Sequence, residues 1–155
     1  MTTAPEDHAQ AGLARRELPE RVDVLVVGAG LSGIGAAHRI REANPGIELA
    51  ILEAREATGG TWDLFRYPGV RSDSDMFTLS FPFRPWQGRK AIADGGDILD
   101  YIRETARESG LDELIHTGHR AVAASWSTDA QEWSVEVDTP TGHRVVRARF
   151  VHLGS

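Results

Sequence analysis

Two short apolar runs near the start of the chain flank a segment with helical periodicity. The runs cover residues 22–27 and 47–52, and a Pro-Gly break precedes the second. Between them, over residues 31–42, apolar side chains recur at the spacing of an amphipathic helix. The pattern predicts a strand, a helix and a second strand. The first run is apolar on both faces, which is typical of a central parallel strand.

A glycine-rich turn, GAGLSG, joins the first predicted strand to the helix. Gly28 allows a sharp turn, Gly30 leaves room for a pyrophosphate near the main chain, and Gly33 allows close helix–strand packing. Ser32 lies in the first helical turn, where its hydroxyl adds a donor to the free N–H groups. Glu53 ends the second run, where a carboxylate can accept from ribose hydroxyls. Together these features predict a dinucleotide site, whereas a glycine turn alone would also suit ordinary packing.

Residues 54–94 show no clear periodicity but are rich in aromatic side chains. So long a structureless loop inside a compact domain is usually functional or disordered. The aromatic content argues against disorder, and we expect the loop to fold over a flat aromatic cofactor. Its cations Arg84, Arg89 and Lys90 are expected to form a solvated face. The aromatic residues are Trp62, Phe65, Tyr67, Phe77, Phe81, Phe83 and Trp86.

Helical periodicity returns over residues 97–109, with Asp97 as the predicted N-cap and Gly110 as the stop signal. Strand-like runs with turn-forming residues between them follow, which indicates an antiparallel meander. The last apolar run, residues 150–155, is predicted to be a further parallel strand that rejoins the first sheet. The three meander runs are residues 120–126, 132–138 and 144–149.

The predicted fold is a Rossmann-like α/β domain, a parallel sheet with helices and an inserted antiparallel meander. Residues 1–20 are interpreted as a flexible arm, and residues 21–155 as the amino-terminal part of the domain. Because no helix follows the last strand to cover it, we expect the domain to be incomplete at its C-terminus. The remainder of a longer chain would then be its partner.

Composition narrows the possible partners. A net charge of −6 and a pI near 5.5 argue against nucleic acid. No apolar run approaches the ~20 residues of a membrane helix. The chain has no cysteine, which excludes disulfides and thiolate metal sites and is compatible with the cytoplasm. His116 and His119 have metal-like spacing but no third ligand nearby in sequence, so we expect no metal.

The loop also carries a distinctive motif, GGTWDLFRYPGVRSDSDM, at residues 59–76, followed by FRPW and AIADG. These stretches closely resemble the class B flavoprotein monooxygenases, and within them the Baeyer–Villiger monooxygenases on the branch of the ethionamide-activating enzyme. The resemblance runs from about Val22 to the last residue. It implies FAD and NADPH as cofactors of the complete protein.

The resemblance also implies roles for particular residues. It places the AMP half of FAD at residues 28–33 and at Glu53, and a main-chain contact to the adenine at Ala121 or Val122. Along the cofactor toward the flavin it places Gly60, Thr61, Trp62, Asp63 and Leu64.

The NADPH side of the site would include Arg71, Ser72 and Asp73, and Asp73 near the flavin ring is the candidate catalytic residue. The residues alone leave other interpretations open. Trp62 could be only a core anchor, and Asp73 and Asp75 could be solvated turn residues, because Asp is an ordinary turn former.

The activity implied by the resemblance is NADPH-dependent transfer of one oxygen atom from O2 to a small ketone or sulfide. Three parts expected of such an enzyme do not occur in these 155 residues. They are a second glycine fingerprint for NADPH, an FxGxxxHxxxW signature and a downstream arginine, so we expect this chain alone to lack turnover. Two alternatives remain open, a nucleotide-binding module without turnover and a flavoprotein reductase on the same fold.

Overall fold

A computed structural model describes residues 17–154 and contains one six-stranded sheet of order β3-β2-β1-β6-β5-β4. The strands are β1 (Arg21–Val27), β2 (Leu49–Glu53), β3 (Ile115–Thr117), β4 (Arg120–Ser127), β5 (Glu132–Thr139) and β6 (Gly142–Leu153). The helices are α1 (Leu31–Ala43), α2 (Thr61–Leu64), α3 (Met76–Leu79), α4 (Gly95–Glu108) and a 3-10 turn at Asp112–Leu114. In this part of the chain, no helix is long and apolar enough to cross a membrane.

Strand β1 lies between β2 and β6, with both of which it pairs in parallel. Its alternating side chains enter two different cores, which confirms that both faces are buried. Val24 and Val26 pack under α1 and α4, in what we call the helix-side core. Leu25 packs with Val135 and Val137 of the meander, in the meander-side core. The meander therefore covers the face of the parallel strands that the helices leave open.

The predicted separate strand at residues 150–155 is wrong, because β6 is one continuous strand from Gly142 to Leu153. Its first half pairs antiparallel with β5 and its second half pairs parallel with β1. The change of partner takes place at Arg147 and Ala148, since each of these residues pairs with β5 on one side and with β1 on the other. No turn-forming residue interrupts the chain there, so a single strand takes two partners in succession. The parallel return to the first sheet is confirmed.

Helix α1 matches its predicted range, and Ile34 and Ala37 on its apolar stripe are fully buried. Helix α4 starts earlier than predicted, with Asp94 and not Asp97 at the N-cap. The Gly95 N–H donates to the Val70 carbonyl at 2.8 Å, and this contact fixes the start of the helix. Tertiary contact here overrides the low helix propensity of glycine.

Strand β3, which continues the parallel pairing beyond β2, was not predicted from the sequence. Three residues are too few for a recognisable alternation. Of the predicted arm, residues 1–16 lie outside the described part of the chain. Leu18 is buried in the meander-side core, and the Glu20 carbonyl accepts from the Arg147 N–H at 2.9 Å.

Candidate functional site

The first glycine turn brings the carboxyl end of β1 into close contact with α1. Gly28 has φ +105°, and its N–H donates to the Leu52 carbonyl at 2.7 Å. A Cβ on Gly33 would lie 1.8 Å from the Gly28 carbonyl oxygen, a distance no side chain can adopt. The close packing predicted for Gly33 is thus observed, and the turn has no room for any other residue there.

The N-terminus of α1 has no side-chain cap. Gly30 occupies the N-cap position, and no acidic residue lies in the first turn. The first N–H groups of a helix have no partner within the helix, and its dipole is positive at this end. Ser32 lies here and is exposed. This end of α1 therefore has the properties of an anion-binding site.

Glu53 lies where the sequence predicted, at the carboxyl end of β2, and is buried. One carboxylate oxygen accepts from the Ala29 N–H at 3.0 Å, and the other accepts from the Arg55 N–H at 2.9 Å. The carboxylate thus ties the first glycine turn to β2. Each oxygen still has a second lone pair that can accept a further hydrogen bond.

A second glycine turn packs against the first. Gly59 and Gly60 have φ +118° and +55°, a conformation that L side chains rarely adopt. The Gly59 N–H donates to the Ala29 carbonyl at 3.0 Å. A Cβ on Gly60 would lie 3.0 Å from the Gly30 Cα. The structure therefore places two predicted site residues, Gly30 and Gly60, side by side, with only main chain between them.

The residues of α2 divide between the surface and the interior. Thr61 and Leu64 are exposed, Leu64 at 56%. Trp62 is partly buried and packs against the helix-side core, which favours the interpretation of this ring as a core anchor. Asp63 is only 2% exposed.

Asp63 is the centre of an ion cluster that the sequence did not indicate. Its carboxylate accepts from Arg55 at 2.6 Å, from Arg66 at 2.8 Å and from Arg103 at 3.0 Å. Burial tends to raise the pKa of this carboxyl, but Arg66, Arg55 and Arg103 outweigh burial and hold the pKa below its usual value. Asp63 is therefore ionised at neutral pH.

Two of these arginines also donate to carbonyls of the second glycine turn. Arg55 reaches the Gly60 carbonyl at 3.3 Å, and Arg103 reaches the Thr58 carbonyl at 3.1 Å. In the sequence, the only feature that could have pointed to Arg55 as a site residue is its position two residues after Glu53. Arg103 had none, since it lies on another helix 40 residues from Asp63.

The next predicted group, Arg71, Ser72 and Asp73, is only partly available to a ligand. Ser72 is buried, and its hydroxyl oxygen accepts from the Ala93 N–H at 3.1 Å. Arg71 and Asp73 are exposed. Asp75 caps α3 by accepting from the Thr78 N–H at 2.9 Å, which is the turn-forming role considered for it.

The aromatic residues of the loop also divide into two groups. Phe81 is buried, and Trp62, Phe83 and Trp86 pack against the helix-side core. The exposed members are Phe65, Tyr67 and Phe77. The first group accounts for the order of the loop, so the aromatic content does not require a cofactor beneath all of it.

The expectation that Arg84 is solvated is wrong. Its side chain is 25% exposed and pairs with Glu108 at 2.7 Å and Glu104 at 3.1 Å. Its guanidinium also lies over the Tyr101 ring, 5.1 Å from the ring centroid. The Tyr101 hydroxyl donates to the Arg84 carbonyl and accepts from the Phe81 N–H. These contacts attach the loop to α4.

Ala121 and Val122 lie at the start of β4, beyond the end of β2. The His119 N–H donates to the Glu53 carbonyl at 2.9 Å, which brings the start of β4 close to Glu53. The pairing of β4 with β5 shifts between Ala121 and Ala123, so Val122 is a bulge residue and is 47% exposed. A bulge leaves main-chain groups outside the ladder.

Among residues 17–154, no three His, Asp or Glu side chains are grouped so that they could hold a metal ion. The rings of His116 and His119 lie 5.5 Å apart, edge to face, and His116 is buried. Their spacing in sequence thus corresponds to a ring contact.

Comparison with known proteins agrees with this geometry. Residues 26–88 match the family described as an NAD(P)-binding Rossmann-like domain. Over 138 residues the chain is 49% identical to FAD-containing monooxygenase EthA of Mycobacterium tuberculosis, covering 89% of this chain and 28% of that protein. An oxidized steroid monooxygenase bound to NADP matches with TM-score 0.78 at 33% identity, over 86% of this chain and 26% of that one. OTEMO in complex with FAD and NADP matches with TM-score 0.73 at 28% identity, over 85% and 25%.

The fold and the two glycine turns thus define a Rossmann-like α/β domain with a mixed sheet. Over most of its length the chain is similar to the amino-terminal region of the class B flavin monooxygenases, the family of the Baeyer–Villiger enzymes and EthA. It spans 28% of the length of the EthA proteins it matches.

Proposed function

We propose that this chain provides the FAD-binding part of an NADPH-dependent monooxygenase that transfers one oxygen atom from O2 to a ketone or a sulfide. The observation that carries the proposal is the close approach of Gly30 and Gly60, in a chain whose relatives are FAD-containing monooxygenases. Two turns that face each other through glycines, beside an uncapped helix N-terminus, fit the pyrophosphate of a dinucleotide.

The residues would hold the two cofactors in four groups. Gly28, Ser32 and Gly33 would hold the phosphates on the AMP side, and Glu53 would accept from the ribose. Ala121 or Val122 would meet the adenine through the main chain. The group toward the flavin would be Gly60, Thr61, Trp62 and Leu64, with Asp63 buried behind them. The nicotinamide side would include Arg71, Ser72 and Asp73.

When bound, the flavin supplies the redox and oxygen-transfer chemistry. The side chains of this chain would bind it, orient it and keep water out. The exposed apolar residues Leu64 and Phe65 lie beside the second glycine turn, where they can shield a ring. The exposed carboxylate of Asp73 would set the charge beside that ring.

The proposal is tested by titrating the purified chain with FAD and following the quenching of flavin fluorescence. We expect saturable binding in the micromolar range, competition by ADP and no comparable binding of riboflavin, because the AMP half is the anchor. Absence of FAD binding, or equal binding of riboflavin, would overturn the proposed site.

A matched pair of variants locates the binding. Gly30 has an ordinary φ of −87°, and a Cβ there would lie 3.4 Å from the Gly60 Cα, so Gly30→Ala can fold. The methyl group would occupy the space between the turns, and we expect FAD binding to weaken about tenfold. Gly96→Ala is the control, since nothing lies within 4 Å of its Cβ position.

The oxygenase activity requires a separate measurement. Oxygen-18 from O2 should appear in the lactone, ester or sulfoxide formed by a protein of the relatives' length that carries these residues. NADPH oxidation without labelled product would favour the reductase alternative. A nucleotide-binding module without turnover is the second candidate, since the two adjoining glycine turns bear on nucleotide binding alone.

A further inference from the structure

We propose that Asp63 is a positioning residue that holds the second glycine turn at the distance from the first turn that a pyrophosphate requires. In this role Asp63 does not touch the cofactor. It acts through Arg55 and Arg103, which connect its carboxylate to the turn. The inference rests on the proposed function, since it assigns the two turns to FAD.

The second turn needs an external support. Gly59 and Gly60 adopt positive φ, and glycine carries the largest entropy cost of fixing a backbone conformation. Toward the first turn, the main chain supplies the Gly59 N–H bond to the Ala29 carbonyl. The carbonyls of Thr58 and Gly60, on either side of Gly59, accept from arginine side chains.

The two supporting arginines come from different directions. Arg55 follows β2, and Arg103 lies on α4. Each donates both to the Asp63 carboxylate and to one carbonyl of the turn. Asp63 is therefore the common anchor that fixes where both guanidinium groups lie, and it connects the turn to β2 and to α4 at once.

The local charge makes the carboxylate necessary. Three guanidinium groups converge on one carboxylate, and without it they would repel one another. The Asp63 side chain is 3% exposed, so water screens its contacts poorly. The side chains around it are more exposed, at 34% for Arg55, 40% for Arg103 and 73% for Arg66. Removing the negative charge should therefore release the arginines toward solvent and free the turn.

Arg66 provides an internal comparison. It donates to the Asp63 carboxylate and to the Asp63 carbonyl at 3.0 Å, and it is the most exposed of the three arginines. Among the residues that the structure describes, Arg66 donates to no carbonyl of the turn. A role of the cluster in general stability would involve all three arginines, whereas a role in positioning the turn would involve Arg103 much more than Arg66.

The test compares FAD affinity and local opening in four variants of the purified chain. We expect FAD to bind about tenfold more weakly to Asp63→Asn and about fivefold more weakly to Arg103→Met, with less than a twofold change for Arg66→Met. Glu108→Gln, which removes one of the two carboxylates of α4 that pair with Arg84, should bind FAD as the parent does.

Amide hydrogen exchange supplies the readout that a purely structural role would not produce. In Asp63→Asn and Arg103→Met, the Gly59 amide should exchange faster while Leu25 and Val26 in β1 stay protected. Arg103→Met keeps the methylene stem on a stable helix, so it serves if Asp63→Asn does not fold.

The outcomes separate the two proposals. If the parent chain does not bind FAD, the proposed function fails. If the parent binds FAD and Asp63→Asn and Arg103→Met bind it equally well, the function stands and the positioning role of Asp63 is overturned. Equal loss of affinity in Arg103→Met and Arg66→Met, with faster exchange throughout β1, would also overturn it.

Discussion

The two glycine turns meet in space but are held in place by different means. The first, residues 28–33, lies within a regular strand–helix–strand unit, and backbone pairing and close packing position it. The second, at Gly59 and Gly60, lies in an irregular segment, and the side chains of Arg55, just after β2, and Arg103, on α4, position it. One part of the candidate site is thus fixed by backbone pairing and packing, and the other by polar contacts of side chains.

The difference extends through the whole segment 54–94. Polar side chains attach it to α4, namely Asp63 through Arg103, Arg84 through Glu104 and Glu108, and Tyr101 through the main chain of Phe81 and Arg84. Each replaces the hydrogen bonds that a strand or helix would have supplied. A segment built in this way depends on single side chains, and a regular unit depends on space and backbone geometry.

The largest effect should come from filling the first turn. Gly33→Ala places a methyl group 1.8 Å from the Gly28 carbonyl oxygen, so α1 must separate from β1. We expect a loss of about 3 kcal/mol in the free energy of unfolding, measured by urea denaturation. Gly96→Ala is the control and should gain up to about 1 kcal/mol, because its Cβ meets nothing. A stable Gly33→Ala protein would contradict the tight packing of this turn.

The sequence predicts features that depend on neighbouring residues better than features that depend on residues far away in the chain. The unit from β1 to Glu53 was predictable because strand and helix periods are local, and Gly33 has a packing task that its position in the motif specifies. The continuous β6 was not predicted, because its change of partner at Arg147 depends on strands far away in sequence. The early start of α4 depends on a contact with Val70.

The candidate site was predictable to a similar extent. Sequence reasoning selected Gly30 and Gly60 separately, and the fold places them together. It placed Asp63 along the cofactor toward the flavin but could not show its partners, since Arg103 is 40 residues away on another helix. The FAD contacts of these residues stay predictions.

The second prediction tests the polar support of the loop through pH. A carboxyl with a lowered pKa in the folded chain adds stability above its ordinary pKa of 3.8, and this stability is lost as pH falls through the folded value. At pH 7, Asp63→Asn should therefore be less stable than the parent by about 2–3 kcal/mol. The gap should narrow below about pH 4, where the unfolded parent takes up a proton at Asp63 more readily than the folded parent does.

Urea unfolding at a series of pH values measures this gap. The matched control is Asp129→Asn, in the exposed turn between β4 and β5, whose difference from the parent should stay small throughout. A gap at Asp63 that is constant from pH 7 to about pH 3 would show that the charge of this side chain is not what holds the arginines.

The third prediction concerns the attachment of the loop to α4. Tyr101→Phe keeps the ring but removes the hydroxyl that accepts from the Phe81 N–H at 2.8 Å, so a buried donor loses its partner. We expect a loss of about 1–2 kcal/mol in urea unfolding. Tyr67→Phe makes the same chemical change at a side chain that is 60% exposed and should have no measurable effect. Equal stability of the two variants would show that the hydroxyl does not attach the loop.

The smallest effect should come from breaking the exposed ion pair of Lys90 and Asp94, which is as short as the pair of Arg55 with the buried Asp63. Lys90 and Asp94 lie 2.6 Å apart, the same distance as Arg55 and Asp63, but their side chains are 66% and 60% exposed. Water solvates both charges whether or not they pair, and salt screens them, so Lys90→Gln should leave the urea midpoint unchanged at low and high salt. A midpoint shift as large as that of Asp63→Asn would mean that distance alone determines the strength of these pairs. An unchanged midpoint would show that burial gives the Asp63 cluster its effect, and that the second glycine turn is held because its anchor is buried.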